Sequence, residues 1–391
     1  MLGSRSASEV RYATDTRTLK WLALALTPGI GAGRGRKLVE LFNAVDRLFS
    51  ASLTELEAVA LPAAAAQSIA LGKSADWAGE ELDRIKALGA RVLSQDDPDY
   101  PKRLYEIYDP PLVLYVRGSA EVINKYGLAV VGTRHPTPYG VGMAERVACD
   151  LAARGLVIMS GMARGVDAAA HRGALNARGQ TVAIWGTGVD VTYPKENQKL
   201  ADQILANGGA VVSEFPLGTF PAPQNFPIRN RVISGISVGV LVIEAGEYSG
   251  TRVTARCALE QGRDVYAIPG NVTNKLSWGP NTLIKQGATL IATWEDVWEA
   301  LPADIRLSLS PPAPSASQTP EAASLFTASE LPPDEKRIFA VLRADESTHI
   351  DEIVERLVSH LSSSQIFAAL FELELAGRIR VLPGKYYVRV I

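Results

Sequence analysis

Five short stretches of the sequence combine the residue types that hold anions. Each sets glycine, hydroxyl or amide residues, or a turn-forming proline, beside arginine or lysine. They are Gly132-Thr133-Arg134; Ser160-Gly161 with Arg164; Tyr193-Pro194-Lys195; Asn225-Phe226 with Arg229 and Arg231; and Ser249-Gly250-Thr251, followed by Arg252. Small residues let a phosphate approach the backbone N–H groups, and the cations supply counter-charge. These cations are spread over some 120 residues of chain, which suits several successive phosphates better than one compact ligand. Phe226 offers a face for base stacking; alternatively it is core, and Arg229 and Arg231 pair with acids.

Several other chemistries are disfavoured. The chain has no G-x-x-x-x-G-K-[ST] loop, and the turn after the first strand of the central region reads GTRHPTPYG rather than G-x-G-x-x-G. Asp167 and His171 stand four apart on one helix face and could form an acid/base pair with Ser160 as nucleophile. No third orienting group accompanies them, and an Asp at a helix start more readily accepts backbone N–H bonds. Four histidines and two isolated cysteines, Cys149 and Cys257, form no metal or disulfide pattern, so we expect no cofactor and a reducing, cytoplasmic setting. No apolar run is long enough to span a membrane. With 40 basic against 42 acidic residues the chain is not globally basic, so any anion site is made locally.

The elements that must position these residues follow from hydrophobic pattern. Seven apolar runs begin near residues 127, 156, 181, 210, 238, 264 and 289, each ending in small or polar residues and separated by helix-length segments. Continuous rather than alternating apolar runs indicate strands buried on both faces, hence a Rossmann-like, doubly wound parallel α/β sheet. Ligands of such sheets bind beyond the carboxyl ends of the strands, where all five stretches fall. Arg134 also precedes a helix N-terminus, where an anion is expected. Residues 78–305 are assigned to this unit, with the stretch before residue 126 as an N-terminal extension. Residues 1–17 read as a disordered polar tail and 18–77 as a helical domain. Inside it, Pro28-Gly29-Ile30-Gly31-Ala32-Gly33-Arg34-Gly35-Arg36-Lys37 resembles a helix-hairpin-helix turn. There the amides of Gly29, Gly31 and Gly33, with Arg34, Arg36 and Lys37, either make an accessory phosphate contact or only close a tight turn. Residues 306–333 form a Pro/Ser/Ala linker. Residues 334–391 have the outline of a winged helix, three helices and a hairpin turned at Pro383-Gly384.

The motifs YPKRL, VVGTRHPTPYG, SGMARGVDAAAH, WGTGVDVTYPKEN, SEFP, NFPIRNRVISG, SGTRVTA, IPGNV and GPNTLIKQGA occur in this order from residue 100 to residue 288. In this the chain resembles the DNA-processing protein family DprA, also called Smf. The resemblance implies an N-terminal helical domain of the sterile-alpha-motif or helix-hairpin-helix kind and a C-terminal winged helix. It also implies a non-enzymatic protein of natural transformation that binds and protects incoming single-stranded DNA and loads the RecA recombinase. Dimerisation would run through the Rossmann-like domain. The DNA-binding arginine of the family's VGxR loop is Arg134 here; the role extends to Lys195, and then to Arg164, Arg229 and Arg231. A rival resemblance is to nucleotide phosphoribohydrolases carrying P-G-G-x-G-T-x-x-E, but Thr254 occupies the place of the Glu. The candidate recognition helix of the winged unit, SSSQIFAALFELELAG, holds no Lys or Arg, which favours a protein contact over a DNA contact.

Overall fold

The computed structural model describes residues 7–59, 61–309, 331–344, 346–358 and 360–390. The seven apolar runs form the strands β3 (Gly127–Val131), β4 (Val157–Ser160), β5 (Thr181–Trp185), β6 (Ala210–Ser213), β7 (Gly239–Val242), β8 (Asp264–Ala267) and β9 (Thr289–Leu290), all mutually parallel. Two earlier strands, β1 (Arg91–Ser94) and β2 (Val113–Gly118), extend one edge antiparallel, giving the order β1-β2-β6-β5-β4-β3-β7-β8-β9. Both lie in the N-terminal extension, before the first of the seven runs, and the apolar run of β2 follows Pro110-Pro111 directly.

Every residue of β3 to β7 is buried, because helices cover both faces. Helices Pro138–Ala152 and Val166–Asn176 close one face over Leu128, Val130, Ile158 and Leu241. Helices Asn225–Ile236 and Thr251–Glu260 close the other over Val131, Ile184 and Val240. From β3 the chain winds outward through β4, β5 and β6, then returns to lay β7 on the opposite side of β3. The crevice between the ends of β3 and β7 is thus the switch point of the sheet.

The N-terminal helices are not a separate bead. Trp21, Leu48 and Ile85 share one core with Tyr115, Trp185, Val211 and Leu217 of the sheet. Helix Lys73–Ala87 runs through the expected boundary at residues 77/78, and its buried Glu81 accepts the Leu217 N–H at 2.7 Å while pairing with Arg84 at 2.8 Å. The expected tail 1–17 is also corrected: helix Ala7–Leu26 includes residues 7–17, where no glycine or proline interrupts it. Residues 1–6 lie outside the described residues.

Helices Pro333–Val341, Ile350–Leu357 and Ser363–Leu375 carry their own core with strands β10 (Thr348–His349), β11 (Ile379–Leu382) and β12 (Tyr386–Arg389). The hairpin turns where expected, with Gly384 at φ +86° and Lys385 at φ +63°. Of the expected linker, residues 306–308 belong to helix Ala303–Ser308, and residues 310–330 lie outside the described residues. Among the described residues no helix is long and apolar enough to cross a membrane, and no cluster of His, Cys, Asp and Glu could hold a metal ion.

Candidate nucleic-acid interface

At the switch point the loops after β3 and β7 diverge around a cleft of about 910 Å³. Gly132, Thr133, Arg134, Phe226, Arg229, Ser249, Gly250 and Thr251 all line it, joined by Asp167, Tyr193 and Tyr248. Gly132 is required by packing, since a Cβ there would meet Val166 at 2.6 Å. The floor and the rim of this cleft are built differently.

The floor is closed on itself. Glu244, 2% exposed, reaches from the end of β7 to the start of helix Pro138–Ala152. Its carboxylate accepts the Thr137 N–H at 2.8 Å and the Thr137 hydroxyl at 2.6 Å. Gly140 makes room for it, because a Cβ there would lie 2.3 Å from the carboxylate. The helix N-terminus that the sequence marked for an external anion is therefore filled by the chain's own carboxylate. In the next loop Asp167 accepts the N–H groups of Gly161 and Ala163 at 3.1 and 3.3 Å. Burial raises its pKa, against the opposing pull of Arg229 and of these two N–H bonds. Arg229 is 5% exposed and donates to the carbonyls of Gly161 and Ile184; burial draws it down to about 10, so it stays protonated at neutral pH.

Several expected contacts belong to this interior. The Ser160 hydroxyl is fully buried and donates to the Val130 carbonyl at 2.6 Å. Asn225 is nearly buried and donates to the Gly186 carbonyl at 3.1 Å. Arg231 pairs with Glu214 at 2.6 Å and with Asp109 at 3.1 Å, away from the cleft. It is an internal ion pair rather than a groove cation. The acid/base dyad does not form either: His171 lies buried with Nδ1 2.7 Å from the Thr181 hydroxyl, and burial pushes it down to about 3.

The rim is open. Arg134 is exposed, and its guanidinium lies 5.5 Å from the Phe226 ring centre. Phe226 is half-buried and meets Tyr193 with ring centres 5.6 Å apart. Lys195, two residues beyond Tyr193, is exposed and in no ion pair among the described residues. Arg164 is exposed too, but Glu196 holds it in a two-pronged pair, with Nη2 to Oε2 at 3.0 Å. Thr251 N–H and hydroxyl both meet the Ser249 hydroxyl, shaping the turn that Gly250 completes. The sequence names Tyr193 only as part of the Tyr193-Pro194-Lys195 stretch, not for its ring, and does not single out Tyr248, which is 93% exposed; aromatics within strand-end loops were the available signal.

The glycine turn of the helical domain faces a different neighbour. Arg34 donates to the Gly29 carbonyl at 2.7 Å. Arg36 stacks 5.0 Å from the Tyr105 ring centre and pairs with Glu40, and Gly35 abuts Leu112. Gly31 caps helix Ala32–Leu41 and Gly33 lies in its first turn; Lys37 is exposed. These contacts tie the turn to the sheet domain.

Fold and site together define a mostly parallel α/β protein with a cleft at the strand switch point, joined to a winged helix. A family model described as DNA recombination-mediator protein A matches residues 91–302, and one described as DprA winged helix domain matches residues 310–385. Protein Smf of Escherichia coli is 41% identical over 301 residues, covering 75% of this chain and 76% of that one. DNA processing protein DprA of Bacillus subtilis is 40% identical over 222 residues, 56% of this chain and 74% of that one. The X-ray structure of DNA processing protein A from Streptococcus pneumoniae superposes with a TM-score of 0.65 at 34% identity, covering 73% of this chain and 98% of that one. The chain belongs to the DNA recombination-mediator protein A family, known as DprA or Smf.

Proposed function

We propose that this protein binds single-stranded DNA without sequence preference along the carboxyl edge of its sheet and takes part in DNA processing for recombination. The observation that carries the reading is the open rim. An exposed guanidinium, Arg134, stands against the Phe226–Tyr193 aromatic pair, and the exposed Lys195, in no ion pair among the described residues, follows Tyr193 by two residues. Single strands are held by such combinations, cations for the backbone and aromatic faces for unstacked bases. Gly132, Thr133, Ser249, Gly250 and Thr251 shape the cleft wall; Arg164 contributes where a phosphate displaces Glu196. Gly161, Ser160, Asn225 and Arg229 act by holding the loops in place. Lys37 and the first turn at Gly33 would supply any accessory contact.

Within the same reading the chain protects incoming DNA during natural transformation, dimerises through the sheet domain and loads the RecA recombinase. The winged unit supports a protein-contact role, since its third helix exposes Phe367, Phe371 and Leu375 and bears no cation. We read the protein as a binder rather than a phosphoribohydrolase, because Thr254 is a buried hydroxyl where that chemistry requires a carboxylate. Gel shifts of equal-length single- and double-stranded DNA across salt concentrations test the binding. The expected result is preference for the single strand, falling steeply with salt; equal or duplex-preferring binding contradicts it. Release of free base from nucleoside monophosphates would establish the hydrolase instead.

A further inference from the structure

We propose that the N-terminal helical domain, through Glu81, positions the Tyr193–Phe226 pair for stacking on bases. Glu81 is then a positioning residue for strand binding although it lies outside the cleft. The proposal rests on the reading of the sheet edge given above. Glu81 is 5% exposed and stands on helix Lys73–Ala87. One of its carboxylate oxygens accepts the Leu217 N–H at 2.7 Å, and the other pairs with Arg84 at 2.8 Å. Charge-assisted bonds on both oxygens of a buried carboxylate hold the Leu217 backbone to the helical domain. The Leu217 side chain packs into the core that Trp21, Leu48 and Ile85 supply from that domain.

From Leu217 the restraint passes to both rings. Gly218, at φ +77°, donates its N–H to the two carboxylate oxygens of Asp190 at 2.9 and 3.0 Å. The Thr219 carbonyl accepts the Gly188 N–H at 3.0 Å. Gly188 has to be glycine for this approach, since a Cβ would lie 2.5 Å from the Asp190 carboxylate and 2.7 Å from the Pro216 carbonyl. Tyr193 follows Asp190 by three residues. Beyond Thr219 the chain runs through Pro221 and Pro223 of the cleft wall into helix Asn225–Ile236, which carries Phe226. Phe226 also lies over Gly186, where a Cβ would approach the ring to 3.0 Å, and Asn225 bonds the Gly186 carbonyl. Both rings, 5.6 Å apart, therefore hang from loops that are joined at residues 217–219, where Glu81 reaches them. Arg134 stands on a different loop, the one after β3, tied to β7 by the Thr133 N–H and the Glu244 carbonyl at 2.7 Å. Loss of the Glu81 bond should therefore disturb base stacking more than phosphate contact.

Oligothymidylate and an abasic strand of the same length, about 20 nucleotides, measured by fluorescence anisotropy, separate stacking from phosphate contact. Glu81→Leu is expected to weaken oligothymidylate about fivefold and leave the abasic strand within about twofold. Asp190→Ala, an exposed change in the same joint, should do the same and decides the matter if Glu81→Leu fails to fold. Glu81→Gln, which keeps an acceptor for the Leu217 N–H, should restore most of the affinity. A wild-type ratio of the two affinities in the folded variants, whatever their Tm, makes Glu81 merely structural and overturns the proposal. Equal losses on both strands overturn it too. If the wild type binds both strands and Arg134→Ala weakens both, either of those results removes only the role of Glu81. If the wild type binds neither strand, the reading of the whole edge falls and the proposal with it.

Discussion

The floor and the rim of one cleft differ in how their charges are satisfied. On the floor, Glu244 and Asp167 take up the N–H groups that a phosphate would seek, and Arg229 spends its donors on two carbonyls. On the rim, the exposed Arg134 stands against Phe226, which meets Tyr193, and the exposed Lys195 follows Tyr193 by two residues. A cleft built this way offers no nest for a single terminal phosphate but many outward contacts for a chain of them. Recognition and stability are thereby assigned, in the proposed reading, to different residues on the same loops.

The sharpest way to break this division is Arg229→Ala. It removes the positive charge near the buried Asp167 and leaves the Gly161 and Ile184 carbonyls without their donor, so we expect about 3–5 kcal/mol less stability in chemical denaturation. A loss below about 1 kcal/mol would place Arg229 with the rim instead. A smaller effect is expected from pH. His171 is held neutral, with its pKa depressed from 6.5 to about 3. Its contribution is complete above its unfolded value and is lost as pH falls from about 6.5 towards 3, by at most about 1.4 kcal/mol per unit. His171→Gln should flatten the fall of Tm with pH in that window, whereas an unchanged slope contradicts the assignment. On the rim, Arg134→Ala should leave stability within about 0.5 kcal/mol but weaken single-strand binding about tenfold. Smallest is Lys195→Ala, which should lower the salt slope by about one with little change at low salt.

The sequence showed the rim better than the floor. Uninterrupted apolar runs marked all seven parallel strands, and topology then carried their polar ends to one edge. Arg134, Lys195 and Phe226 could be picked out because cations and aromatics at strand ends have few internal roles. Asp167 bonds the local N–H groups that its helix-start position suggested, but the rest of the floor was hidden because its partners are remote in the chain. Glu244 meets Thr137 across 107 residues, and Arg229 meets Gly161 across 68. No local spacing distinguishes Arg231, held by Glu214 and Asp109, from an exposed arginine on the same helix. The glycine turn at residues 29–35 stays open, in the sequence, between a phosphate contact and a tight turn for the same reason, since the contacts of Arg36 and Gly35 with the segment 105–112 are tertiary.

The most direct test of the division is competition. A labelled 20-mer single strand is bound to the wild type and challenged with unlabelled strand, with adenosine monophosphate and with inorganic phosphate, over a range of salt. The account predicts displacement by the strand alone at comparable nucleotide concentration, with log K falling linearly in log salt at a slope of several charges. Displacement by the mononucleotide or by phosphate at matching ionic strength would show that the floor is open to a compact anion and would contradict it.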